Sequence, residues 1–337
     1  MTNSPAQEQF AAARSGDKQA LNDLVEPYRA ELLVHCYRLL GSMQDAEDMV
    51  QETFLRAWDR LDQFVGGQYF RAWLYKIATN ICLDALDKRS RRALSTSISP
   101  ASDPHGAIAP AITDPIWLEP FPDELLPDVA LSPEARYMQR ESITLAFLAA
   151  LQLLPPRQRV ILILCDVLDW RAKEVAQVLD VTVAAVNGLL RRARSTMNRS
   201  YHKKEPAVNA DNRISAMLKR YVEAWESGDV EGLISLLTDK VVFTMPPSPT
   251  WFSGREAVRV HAQSMFSQRK YRHWRLQPTQ ANNQIAFACY RRDETDGLYY
   301  AHALQVLTFD DAQITDLHMF LIPPIFPYFG LPMTLSS

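Results

Sequence analysis

Cysteine is scarce in this 337-residue chain: Cys36, Cys82, Cys165 and Cys289 stand far apart, with no C-x-x-C spacing. That argues against a disulfide framework or a thiolate metal site and for buried thiols in a reducing compartment. Long apolar runs are also missing, and the stretch around residues 160–165 is far too short to span a bilayer. The opening MTNSPAQEQF has neither a basic segment nor an apolar core, so no signal peptide is expected there, and the expected location is the cytoplasm with no membrane partner. Net positive charge is lacking too. A formal charge of −3 would by itself speak against nucleic-acid binding. Two local absences override that total. Residues 182–204 hold six cations and no Asp or Glu, and residues 93–131 hold six acids and no Lys or Arg. Charge segregated in this way sets up opposite fields on one chain.

What is present centres on residues 45–92. Ala46, Val50, Thr53, Ala57 and Leu61 recur at helical spacing and share one face, whereas Asp45, Asp48, Glu52 and Asp59 fall on another. A loop over 62–69 contains Gly66 and Gly67, which end the helix. A second helix buries Leu74, Ile77, Ile81 and Ala85, presents Trp73, Lys76, Asn80, Asp84 and Lys88, and runs into Lys88-Arg89-Ser90-Arg91-Arg92. Singly, each helix reads as an ordinary surface helix with solvated charges, in which Asp84 and Lys88 have the i,i+4 spacing of an ion pair. Together they offer carboxylates to a basic partner, cations to phosphates, an Asn to a base edge and an indole on which an unpaired base can stack.

Residues 6–40 read as helices that frame this stretch. Residues 93–131 carry seven prolines and little periodicity, a linker in which Trp117 and Phe121 either pack on the flanking domains, the favoured expectation, or bind a partner. Helices resume at Ser132-Pro133-Glu134, with Ser132 as the N-cap. A helix-turn-helix follows: a short helix over 173–179, a turn at Asp180-Val181, and a helix capped by Thr182 with Val186, Leu190, Ala193 and Met197 inward. Its outer side offers Ala184, Asn187, Gly188, Arg191, Arg194 and Ser195, with Arg192 beside them. Small residues at the front allow close approach to a groove.

After a polar hinge over 203–211 the composition shifts. Helices are expected over 213–225 and 230–237, then strands over 241–245, 272–281, 284–292, 298–308 and 313–321. Two helices followed by a curved antiparallel sheet make an α+β cone. The apolar tail LIPPIFPYFGLPM should dock, either on its own sheet or on the helical regions.

DAEDMVQETFLRAWDRLDQF followed by FRAWLYKIATNICLDALDKRSRR resembles region 2 of extracytoplasmic-function (ECF) sigma factors, the promoter-recognition subunits of bacterial RNA polymerase. LPPRQRVILIL and EVAQVLDVTVAAVNGLLRRAR resemble sigma region 4, with Gly188 where the family usually has Ser or a larger polar residue. RYVEAWESGDVEGLISLLTDKVVFTMPP and WFSGREAV resemble the SnoaL-like branch of the nuclear-transport-factor-2-like (NTF2-like) fold. The implied architecture is multidomain: all-α sigma region 2 over 1–95, a linker over 96–131, a helix-turn-helix region 4 over 132–204, and an α+β NTF2-like cone over 205–337. The implied partners are core RNA polymerase and promoter DNA. Asp45, Asp48, Gln51 and Glu52 would meet the polymerase. Trp73, Lys76, Asn80, Asp84, Lys88, Arg89, Arg91 and Arg92 would meet the −10 element. Thr182, Ala184, Asn187, Gly188, Arg191, Arg192 and Arg194 would meet the −35 element. In the cone, Tyr221 matches the Tyr of ketosteroid isomerases of this fold, but Met245 and Gln305 stand where the Asp base and the second acid would be. Met cannot abstract a proton and Gln is no carboxylic acid, so a regulatory, non-catalytic domain is expected. Tyr221, Met245, Trp251, Tyr290, His302, Gln305 and His318 are the candidate pocket residues for a small-molecule ligand. No metal or cofactor is expected. Two rival classes remain: a stand-alone helix-turn-helix regulator, and a DNA-binding module fused to an isomerase-like or cyclase-like enzyme.

Overall fold

The computed structural model describes residues 5–64, 69–88, 91–112, 117–127, 133–201, 211–271 and 273–336. The chain forms two compact units, and each is built from two separate stretches of sequence. Met1–Arg92 folds with Leu125–His202, and Ala93–Glu124 folds with Lys203–Ser337.

The first unit is helical. Its N-terminal stretch contains α1 (Pro5–Arg14), α2 (Lys18–Val25), α3 (Arg29–Leu40), α4 (Met43–Asp59) and α5 (Phe70–Leu86). Its second stretch contains α6 (Pro133–Glu141), α7 (Leu145–Leu151), α8 (Pro156–Leu162), a π-helical extension (Ile163–Val167), α9 (Ala172–Leu179) and α10 (Val183–Ser200). Asp17 caps α2 by accepting from the Gln19 and Ala20 amides, and Ser42 caps α4 by accepting from the Asp45 amide. Gly41 ends α3 at φ 71°, where a side chain would be strained. Every residue of α3 from Leu32 to Leu40 is buried, so α3 is the axis on which α4 and α5 pack. Helices α8 and α9 pack against α5 as well.

That packing is polar in places. His35 on α3 shares a 2.9 Å hydrogen bond with Thr79 on α5, and burial holds its pKa down to about 3, with Arg38 and Arg71 adding to the shift. Arg38 donates to the Gln139 carbonyl on α6 at 3.1 Å, and buried Arg159 on α8 donates to the Leu39 carbonyl on α3. Buried arginines that donate to carbonyls near helix ends thus join the two stretches of this unit.

The second unit contains α11 (Asp211–Ser227), α12 (Val230–Ser235), β1 (Leu237–Thr244), β2 (Trp251–Ser253), α13 (Arg255–Ser267), β3 (Trp274–Ala281), β4 (Gln284–Arg292), β5 (Tyr299–Asp310), β6 (Gln313–Phe320) and β7 (Thr334–Leu335). The sheet order is β2-β1-β6-β5-β4-β3, with β7 on β5. Irregularities at Cys289/Tyr290 and Thr308/Phe309 break the ladders, as bulges do where a sheet curves. The sheet and its helices enclose Tyr221, Trp225, Phe243, Phe287 and Met319.

Two expectations change, and one helix is added. The sheet is mixed, because β1 runs parallel to β6. Helix α12 stops at Ser235 and Leu237 already belongs to β1. Helix α13, which no expectation covered, starts after Gly254 at φ 89°.

The Pro-rich acidic stretch is no free spacer. Ser102 N–H donates to the Trp251 carbonyl, Ala109 N–H to Thr250 Oγ1 and Ile112 N–H to the Pro247 carbonyl. Phe121 and Asn282 exchange two 2.9 Å hydrogen bonds, and Trp117, Leu118 and Phe121 are buried. The segment's backbone hydrogen-bonds to buried Thr250 and Asn282 of this unit, and its aromatics Trp117 and Phe121 are buried. The tail resolves in favour of its own sheet: Ile325, Phe326 and Phe329 are buried, Phe326 meets Tyr290 edge-on, and Ala301 N–H donates to the Met333 carbonyl. Among the described residues, no helix is long and apolar enough to cross a membrane.

Candidate nucleic-acid interface

On α4 the acidic residues divide into two sets. Asp48 and Gln51 are exposed, and half-buried Glu52 pairs with Arg56 one turn on at 2.7 Å. Asp45 does not join that surface. Its carboxylate meets Arg92 at 2.7 Å, and the two side chains are only 13% and 8% exposed. Asp45 as a polymerase contact and Arg92 as a DNA contact are therefore corrected together: each neutralises the other where water cannot. The outer face of α4 instead gains Leu55, which is 63% exposed and lies on one side with Asp48, Gln51 and Glu52 at helical spacing. That spacing was legible in the sequence, but Leu55 was not singled out.

On α5, Asn80 and Asp84 are exposed one turn apart, and Lys88 and Arg91 are exposed beyond the helix end. Trp73 is half-buried in an aromatic cluster, 5.0 Å from the Phe64 ring and 5.6 Å from Phe70. Lys76 is not free for phosphate. Its ammonium bonds Asp180 at 2.8 Å and the Gln177 carbonyl at 3.4 Å, which ties α5 to the end of α9. Nearby, Arg71 forks onto Glu31 and lies over the Tyr75 and Trp170 rings. Arg89 and the pair Gly66-Gly67 lie outside the described residues.

Helices α9 and α10 form the expected helix-turn-helix. Asp180 makes the turn at φ 53°, and Thr182 accepts from the Ala185 amide at 3.1 Å, so its hydroxyl is engaged as the cap. Val186, Leu190, Ala193 and Met197 face inward. Ala184, Asn187, Arg191 and Arg192 are exposed, and Gly188 is half-buried. Arg194 is committed elsewhere, in a two-point ion pair with Asp166 at 2.6 and 2.9 Å. A Cβ on Gly188 would meet only the Arg192 guanidinium, at 3.8 Å, so packing does not require glycine there.

The pocket residues proposed for the cone mostly do not share a pocket. Tyr221 is buried and donates to Gln305 Oε1 at 2.7 Å, and burial raises its pKa well above the usual phenol value. His318 hydrogen-bonds Thr244 at 2.9 Å, Tyr290 donates to the Pro332 carbonyl, and the Trp251 indole donates to the Ser99 carbonyl. Only Met245 and His302 line the 560 Å³ cavity of this unit. His261, which the sequence reading did not single out, lines it too.

Comparison with known proteins assigns the helical parts. The Sigma-70 region 2 family matches residues 24–92, Sigma-70 region 4 matches 144–197, and the SnoaL-like domain matches 218–317. The ECF RNA polymerase sigma factor SigG of Mycobacterium tuberculosis is 40% identical over 328 residues, covering 96% of this chain and 86% of SigG. The chain belongs to the ECF RNA polymerase sigma factors. SigJ of the same organism is 30% identical over 65% of this sigma factor and 62% of its own length. The SigJ crystal structure superposes with a TM-score of 0.58 over 92% of this chain and 99% of that one, at 24% identity, a likeness of fold. In this sigma factor both sigma regions lie in the first unit, whereas residues 93–124 between them fold with the SnoaL-like domain. The chain therefore leaves region 2 at Arg92, passes through the other unit, and returns to the first at Leu125.

Proposed function

We propose that this sigma factor binds core RNA polymerase through the outer face of α4 and directs initiation at promoters read by α5 and α10, in the cytoplasm where the polymerase works. The observation that carries the reading is the acid-free outer side of α10, with Asn187 and Arg191 exposed behind the small residues Ala184 and Gly188. Asn187 and Arg191 contact base edges of the −35 duplex, and Arg192 holds phosphate. Asn80, Asp84, Lys88 and Arg91 face the −10 element. Asp48, Gln51, Glu52 and Leu55 meet a basic, partly apolar surface of the polymerase.

The C-terminal domain is regulatory and not an enzyme. It holds the segment that joins region 2 to region 4, so a change in that segment's hold alters how the two regions are tethered. Lys76 must part from Asp180 if α5 and α10 are to separate on the polymerase. An exposed pair of this kind contributes at most about 1 kcal/mol, so it does not block opening. Run-off transcription with purified core polymerase tests the reading. The full chain should initiate at a defined start, and Asp48→Lys/Glu52→Lys should lose core binding in low salt through like-charge juxtaposition. Equal transcription from promoters with scrambled −35 elements would refute it.

A further inference from the structure

Arg194 lies on the exposed stripe of α10 with Asn187 and Arg191, the three spaced i, i+4 and i+7. They share one shallow groove with Ser195, Asn198 and Arg199, and no acid lines it. Arg194 stands about 10 Å further along the helix axis than Asn187. A side chain that far behind the front of a recognition helix meets the sugar-phosphate backbone and not the base edges. The ion pair that holds Arg194 occupies one edge of its guanidinium. Nε–H donates to one Asp166 oxygen at 2.9 Å and Nη2 to the other at 2.6 Å. A guanidinium has five N–H donors. Two are engaged, and among the described residues nothing accepts from both Nη1 protons or the second on Nη2. That open end is a fork of the shape that grips a phosphate.

Asp166 comes from outside α10. It sits in the π-helical extension of α8, where Leu168 N–H closes the wide turn on the Ile163 carbonyl at 3.0 Å. Such turns are rare in helices and concentrate at functional sites. The Asp166 side chain is 23% exposed and that of Arg194 is 57% exposed, so the carboxylate lies behind the arginine and the arginine faces solvent. An acid near a DNA-binding face repels phosphate unless a cation neutralises it. Here the cation in question is the one that points outward. An arginine held by its Nε edge has already given up the rotamer freedom that binding would otherwise cost it.

We infer that Asp166 is a positioning residue for promoter binding: it holds the Nε edge of Arg194 so that the Nη1 end meets one phosphate of the −35 duplex. The inference rests on the reading of α10 given above, in which Asn187 and Arg191 meet the neighbouring bases. The carboxylate stays on the arginine in the complex, and the pair adds affinity and register without base preference.

The test titrates the full chain, by fluorescence anisotropy, with −35 duplexes in which single phosphates are replaced in turn by neutral methylphosphonate. At one phosphate the wild type should lose about fivefold in affinity. Arg194→Ala should lose nothing there, and Arg191→Ala should keep the loss. Asp166→Asn removes a negative charge, which alone would raise affinity for DNA. The expected result is the reverse: binding about threefold weaker at every −35 sequence, with most of the dependence on that phosphate gone. Asp166→Glu should restore part of both. The phosphate dependence is a ratio within one variant, so a partly unfolded fraction cancels from it. A role confined to holding the fold of α10 would weaken binding and leave that ratio unchanged, which overturns the inference. So does the absence of any phosphate whose replacement separates the wild type from Arg194→Ala. Tighter binding by Asp166→Asn with the ratio intact also overturns it, and marks Asp166 as a competitor of DNA for Arg194. Equal wild-type binding to −35 and scrambled unmodified duplexes is the distinct result that overturns the reading of α10, and this inference with it.

Discussion

Helices α5 and α10 look alike as sequence, each an amphipathic stretch ending in arginines, yet they spend their polar groups differently. On α5, Lys76 is tied to Asp180, Trp73 sits among Phe64 and Phe70, and Arg92 beyond its end is buried on Asp45. Its inner side holds the His35–Thr79 hydrogen bond. On α10 the inner stripe is wholly apolar, and Arg191 and Arg192 stay exposed. A cluster of cations in a sequence therefore reports charge, not availability. In the first helix most of the charge holds the unit together, and in the second most of it is left for a partner.

The sharpest way to break this comparison is to exchange one cation from each helix region. Arg92→Ala leaves the Asp45 carboxylate buried without its counter-charge, which costs about 3–5 kcal/mol. Arg191→Ala on the exposed face should change stability by less than about 0.5 kcal/mol. Urea unfolding of both variants measures the pair. If Asp45→Asn/Arg92→Leu recovers most of the loss, the penalty belongs to the unpaired charge and not to lost packing. Equal stability of Arg92→Ala and Arg191→Ala would mean that Arg92 is no more structural than its neighbours on α10.

DNA binding should rank the same two residues the other way. Arg191→Ala should cost about 1–3 kcal/mol on a promoter duplex and relax preference at one −35 position if it contacts a base. A uniform loss across sequences, with a shallower salt slope, would mark Arg191 as a phosphate contact. Lys76→Ala should leave the salt slope of polymerase-free −35 binding unchanged, because its charge serves Asp180.

Much of this division was legible in the sequence, and some could not be. The helices, the helix-turn-helix and its inward stripe follow from residues three and four apart, which a sequence displays directly. Asp45 and Asp48 belong to one acidic class by spacing. They separate only because Arg92, 47 residues away, returns to the start of α4 beside the capping Ser42. The stretch over 93–124 has no periodicity because its hydrogen-bond partners are Thr250, Trp251 and Asn282 on the distant sheet, so nothing within the stretch predicts its order. Likewise, the tail's apolar residues showed that it must dock, but only the placement of Phe326 on Tyr290 says where. In the cone, the pocket expected around Tyr221 and Gln305 is filled: the two are buried and hydrogen-bonded to each other, so burial, not a cavity, is what they share.

The buried seam under α5 predicts a pH response that α10 cannot produce. His35 is neutral in the folded state because burial depresses its pKa to about 3, while in the unfolded chain it titrates near 6.5. The unfolded state therefore binds the proton first as pH falls, and stability declines with pH below about 6.5 until the folded pKa is reached. Between pH 6.5 and 5 the loss from this residue is about 2 kcal/mol. His261 in the second unit titrates in the same direction, with its pKa at about 4, and adds to the decline of His35. His35→Gln should flatten the first unit's share of the profile while leaving that of the second, followed by near-UV dichroism of separate Trp reporters in each unit. An unchanged slope in His35→Gln would show that His35 titrates normally in the folded chain.

The smallest expected effect concerns Gly188, in the middle of the exposed face of α10. Glycine costs a helix interior backbone entropy, and serine is better there by about 0.5 kcal/mol. A Cβ at this position would touch only the mobile end of Arg192 at 3.8 Å, so Gly188→Ser should fold and should gain roughly that amount in urea unfolding. The informative reading is on DNA. If the glycine merely departs from the usual polar residue, the serine hydroxyl adds a group that can bond either a base or a phosphate, and −35 affinity stays level or rises. If region 4 of this chain presses its backbone against the groove at Gly188, the same hydroxymethyl group holds the helix off, and affinity falls at every −35 sequence alike. A gain in stability combined with a loss of binding would therefore assign Gly188 to close approach, whereas a gain in both would show that α10 stands far enough from the bases for a side chain to reach them.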